Sequence, residues 1–82
     1  MKEILVQEKI KGFLKKYFIN PGDCCPEYAI EKFIASDLND EHNIAEQILN
    51  SILEHGYCKR KVKGIGNVFE VTNLGIKEFF YN

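Results

Sequence analysis

No stretch of the sequence approaches the roughly 18 consecutive apolar residues that a membrane-spanning helix requires, so a membrane protein is not expected. The first residues, MKEILVQEKIKGFLKKYF, are broken by charge every few positions and lead to no small-residue cleavage site. They do not read as a signal peptide. Lys and Arg are missing altogether between Lys32 and Lys59, which removes from the middle of the chain the side chains that usually hold phosphates. Repeats and low-complexity tracts are absent as well.

Cysteine is scarce and unpaired in pattern. The chain has three, Cys24, Cys25 and Cys58, an odd number, and the adjacent pair is poorly suited to bonding to itself. Reduced thiols in a cytoplasmic protein follow. Together with His42 and His55 they are the soft ligands available, and none has the two-residue spacing of a zinc site, so no metal and no cofactor is expected. An alternative role for the adjacent thiols is sensing oxidants or thiophilic metals, which requires a lowered pKa. A phosphate-binding loop is also missing: Gly64-Ile65-Gly66 falls in a turn between strands, not between a strand and a helix. Ser36 and Ser51 have no identifiable base. With no nucleophile, base and orienting group in view, no catalytic residue is assigned and the chain is not expected to be an enzyme.

What is present describes one small domain spanning residues 1–82. At 82 residues, 45% apolar and 28% charged, it can bury only about 60–65% of its unfolded surface. The net charge of −1 is unevenly spread. From Tyr57 onward Lys59, Arg60, Lys61, Lys63 and Lys77 face only Glu70 and Glu78.

Val6, Ile10, Phe13, Leu14 and Tyr17 mark one face of a helix from about Lys2 to Phe18, ended by Asn20-Pro21-Gly22. Asp23 to Cys25 is a linker or short strand. Pro26 suits the first position of a second helix, which runs to about Ser36 and buries Ile30, Phe33 and Ile34, with Ala29 at a close approach. After a break at Asp37 to Asp40, Asn39 or Asp40 caps a third helix. Ile44, Ile48, Leu49, Ile52 and Leu53 form its apolar stripe, and it stops at Gly56. The period then falls to two: Lys59, Lys61 and Lys63 point one way, Cys58, Arg60 and Val62 the other. A turn over Gly64 to Asn67 leads to a return strand, Val68 to Val71, with Phe69 and Val71 inward. Thr72 or Asn73 caps a last helix whose Leu74, Ile76, Phe79 and Phe80 cover the core. Leu5, Phe18, Phe80 and Tyr81 look surplus to so small a core and available for a second copy or another protein.

This order of elements, mainly α within an α+β class, resembles a winged helix-turn-helix domain. The segment ILNSILEHGYCKR, followed by a turn and VFEVTNLGIKEF, is similar to the apolar helix ending in Gly, charged strand and aromatic strand running into Thr-x-x-Gly of small MarR-type and PadR-type transcription regulators. The resemblance implies a regulator that binds double-stranded DNA, and because a single copy with so few basic wing residues would bind weakly, a dimer is expected. Its third helix would read the major groove through His42, Asn43, Glu46, Gln47 and Asn50. Its hairpin wing would meet phosphate through Lys59, Arg60, Lys61, Lys63 and Asn67. The acidic character of the third helix, with Asp37, Asp40, Glu41, Glu46 and Glu54 in or before it, keeps open a second reading, a protein-interaction module with no DNA contact. The basic strand has its own alternative, an edge strand guarded by lysines against sheet-to-sheet pairing.

Overall fold

The computed structural model describes residues 2–64 and 66–81. Its elements run α1 (Lys2–Lys15), β1 (Cys24–Pro26), α2 (Glu27–Asp37), a 3₁₀ turn (Asn39–Glu41), α3 (His42–Glu54), β2 (Cys58–Lys63), β3 (Gly66–Val71) and α4 (Asn73–Tyr81). The strands form one antiparallel sheet in the order β1-β3-β2. β3 is therefore central, pairing Cys25 with Phe69 on one side and Arg60 with Phe69 on the other. The ladder on the β1 side extends one step further, because the amides of Gly22 and Val71 donate to the carbonyls of Val71 and Asp23.

The core is the space between one face of this sheet and the helices. Val6, Ile10 and Leu14 of α1, Ile30 and Ile34 of α2, Ala45, Leu49 and Ile52 of α3, and Phe79 of α4 meet Cys25, Cys58, Phe69 and Val71 there. Two members carry no periodic signal. Leu38, expected in the break after α2, is buried, because the 3₁₀ turn folds its side chain back under α2 and α3 instead of releasing it to solvent. Phe18, expected to be surplus, is 0% exposed and stacks 5.9 Å from Phe79. The chain continues past α1 with the Phe18 amide on the Leu14 carbonyl, which swings this ring under α4. Leu5 and Tyr81 do remain outside, at 62% and 79% exposed. Leu74 and Phe80, expected to cover the core, face mostly outward. Gly75 and Phe79 define the inward stripe of α4 and Ile76 packs at its margin.

The helix ends differ from expectation in instructive ways. Pro26 is the last residue of β1 and sits outside the first turn of α2 in extended conformation. Neither Asn39 nor Asp40 caps α3. Its N-cap is Glu41 with no side-chain bond, and the 3₁₀ turn feeds the helix directly through the Glu41 amide bonded to the Leu38 carbonyl. The C-terminal end behaves as the glycine promised: Gly56 adopts φ +78°, its amide donates to Leu53 and that of Tyr57 to Ile52, the paired bonds of a Schellman cap. The hairpin turn is shorter than expected, since Gly66 pairs with Lys63 and Asn67 with Val62. Ile65 of the expected turn lies outside the described residues.

Thr72 joins the two halves of this region. Its hydroxyl accepts from the Gly75 amide at 3.0 Å, capping α4, and donates at 2.6 Å to the carbonyl of Gly56. The Thr72 amide donates to Tyr57. The end of α3, the start of β2 and the start of α4 are thus locked at one point.

Candidate nucleic-acid interface

The five residues expected to read bases all lie on the outward arc of α3. His42, Asn43, Gln47 and Asn50 are exposed and Glu46 is half-buried. They do not form one uniform face. Gln47 lines an open cleft of ≈ 430 Å³ that also takes in Gln7, Lys11, Ser51 and His55, on the side towards α1. His42 and Glu46, one turn apart, lie on the side towards α2, with His42 Nε2 3.8 Å from Glu46 Oε2. Glu31 of α2 completes this corner: its carboxylate, His42 and Glu46 can bring one ligand atom each within 4.8 Å of one another.

The electrostatics of the corner are those of crowded acids. Glu31 is held above its ordinary carboxylate range first by burial, then by repulsion from Glu46 and Glu27, against which His42 and Arg60 act in the opposite direction. Glu46 Oε2 is shut off from solvent and accepts no hydrogen bond, since 3.8 Å to the imidazole is too long for one.

The hairpin supplies the positive charge. Lys59, Arg60, Lys61, Lys63 and Asn67 are all exposed. Strand alternation puts Lys59, Lys61 and Lys63 on the face of the sheet away from the core, and Arg60 on the core side beside Cys58 and Val62. Two of the four cations are engaged within the chain. Arg60 Nε lies 3.3 Å from Glu27 Oε1, with its guanidinium 5.5 Å above the Phe69 ring. That oxygen makes no hydrogen bond of acceptable geometry, so the contact is a charge pair, not a fork. Lys61 Nζ lies 3.0 Å from Glu70 Oε1. Lys59 and Lys63 have no ion-pair partner among the described residues. On α1, Lys11 is bonded to Glu78 at 2.9 Å, while Lys15 and Lys16 lie over the rings of Phe80 and Phe13.

The thiols stand apart from this surface. All three are free. Cys25 and Cys58 share the core face but belong to β1 and β2, with β3 between them. Two strand spacings of about 4.8 Å each exceed the reach of a disulfide, whose Cα atoms sit within about 7 Å. Burial first, and a neighbouring thiol second, push both pKa values up to about 12, the opposite of what a reactive sensor needs.

Sequence reasoning passed over Glu31 and the pairing of His42 with Glu46. The His-x-x-x-Glu spacing was visible at 42 and 46, and four-residue spacing places two side chains on one helical face. Glu31 could not be added to them without knowing how α2 crosses α3.

Comparison with family models finds none that matches the chain, and searches of curated proteins and of solved structures likewise give no match.

Proposed function

We propose that the chain is a winged helix DNA-binding protein of the cytoplasm, a transcription regulator in which α2 and α3 act as the helix-turn-helix and β2-β3 as the wing. One observation carries this reading: α3 leaves His42, Asn43, Gln47 and Asn50 exposed and runs directly into a hairpin whose Lys59, Arg60, Lys61 and Lys63 are all exposed. In such a protein the helix offers hydrogen-bonding side chains to base edges and the hairpin supplies phosphate contacts. Lys59 and Lys63, with no ion-pair partner among the described residues, would bear most of that load. Since two such cations per hairpin neutralise few phosphates, the protein would act as a homodimer, for which Leu5, Phe80 and Tyr81 on the terminal helices offer exposed apolar surface.

A second reading is favoured by a separate observation. Glu27, Glu31 and Glu46 concentrate negative charge beside α3, and Arg60 and Lys61 are already neutralised within the chain. A basic protein partner would suit that corner better than a phosphate backbone. Titrating the protein into a labelled mixed-sequence duplex at low and raised salt separates the two: salt-sensitive binding belongs to the first, absence of binding at low salt to the second.

A further inference from the structure

We infer that Glu31, His42 and Glu46 form a binding site for one divalent first-row transition metal ion, held between α2 and α3. The donor set is one imidazole and two carboxylates drawn from two helices. His42 and Glu46 are four residues apart on α3, so they project from the same face. Glu31 reaches the same point from α2, and the three can bring their ligand atoms within 4.8 Å of one another. An ion bound at about 2.0–2.2 Å from each needs only small rotations of side chains that are exposed or half-buried.

A second observation bears on the same point. Glu46 Oε2 is occluded from solvent yet has no hydrogen-bond donor, a state that folded proteins generally avoid. A metal ion would satisfy that oxygen.

The ligand types narrow the metal. Calcium takes six to eight oxygen ligands, and magnesium keeps an octahedral oxygen shell rich in water, so neither calls for an imidazole. Imidazole with carboxylates suits zinc, and also cobalt as its spectroscopic substitute, and the absence of thiolate from the set removes the preference for copper(I). Three protein ligands leave a coordination position open to water. Because the ligands belong to two helices, the ion would tie α2 to α3 and stabilise the fold by binding the native state alone.

The test is a titration of the metal-free full chain with Co²⁺, followed by visible ligand-field absorption, and with Zn²⁺, followed by calorimetry. The expected result is one ion per chain, with Glu31→Gln, His42→Ala and Glu46→Gln each weakening binding beyond the roughly 10-fold lower bound known for mere outer-shell changes. His55→Gln and Cys24→Ser, which remove other metal-binding groups, should bind as the wild type does. Thermal melts of the metal-free variants verify folding, and the isosteric Glu→Gln pair carries the test if His42→Ala is unstable. No uptake by the wild type, or uptake undiminished in the three ligand variants, would overturn the site. No nucleic acid enters this experiment, so its outcome is independent of the DNA-binding proposal.

Discussion

The first turn of α4 lies so close to the start of β2 that a Cβ on Gly75 would strike the carbonyl oxygen of Tyr57 and come within 2.7 Å of Val71 Cγ2. This approach sets the angle at which α4 closes the core, and with it the position of Phe79 against Phe18. The obstacle is backbone, so it cannot swing aside as a flexible side chain would.

Gly75 and Gly12 should therefore respond to alanine with opposite signs. Gly75→Ala gains helix propensity of about 1 kcal/mol, but overpacking against a rigid carbonyl costs about 1–3 kcal/mol or more. It should lower Tm. Gly12 sits within α1 with nothing within 4 Å of the added atom, so Gly12→Ala should stabilise by about 0.5–1 kcal/mol. For a domain of this size each kcal/mol moves Tm by about 4–8 °C, and parallel thermal melts suffice to see the difference.

Thr72 should be replaceable by serine but not by valine. Valine preserves the shape while removing the acceptor for Gly75 and the donor to Gly56, and the loss of a cap alone costs about 0.5–2 kcal/mol. Denaturant midpoints of the two variants should separate accordingly.

How far these features could be read from the sequence depended on their range. The 3.6-residue period of α3 and the two-residue period of β2 are local, so the displayed arc and the lysine row were legible without coordinates. Gly56 and Thr72 announced themselves because their backbone roles are chemically narrow. Leu38 and Phe18 were misplaced because each lies just beyond a regular helix, where periodicity stops but packing does not. Asn39 and Asp40 have the chemistry of capping residues, yet the 3₁₀ turn made a cap unnecessary. The internal pairing of Arg60 with Glu27, and the meeting of Glu31 with His42 and Glu46, join segments far apart in the chain, and no spacing rule reports them.

Thiol chemistry offers a third prediction. Cys25 and Cys58, with pKa values pushed up to about 12 by burial, should hold negligible thiolate near neutrality and resist a disulfide reagent such as dithiobisnitrobenzoate. Cys24 is partly exposed and should account for the one group that reacts before unfolding. For the buried pair the folded pKa is raised above the ordinary 9.0, so their contribution to stability is full below that value and is lost as pH rises towards 12. Rapid reaction of all three in the native protein would show that the core is open.

Acid should expose the role of Asp23. Its Oδ2 accepts from the amides of Asn20 at 2.8 Å and Ile19 at 2.9 Å, and these bonds, Asn20 first, hold its pKa below the ordinary 3.8. A depressed folded pKa means that the carboxylate stabilises the turn after α1 above the ordinary value and ceases to do so as pH falls through the folded one. Asp23→Ala should be less stable than wild type at neutral pH and show less further loss on acidification. Urea midpoints above and below pH 3.8 would check this.

The central claim is that the hairpin and α3 together hold duplex DNA. The most direct measurement is fluorescence anisotropy of a labelled mixed-sequence duplex, titrated with wild-type protein and with the Lys59→Glu, Lys63→Glu double variant at about 50 and 200 mM salt. The account predicts wild-type binding that falls steeply with salt, and a double variant that binds more weakly with a salt slope reduced by about 1–2 units, close to one for each phosphate that is no longer neutralised. Wild-type binding absent at the lower salt, or identical titrations for the two proteins, would contradict it.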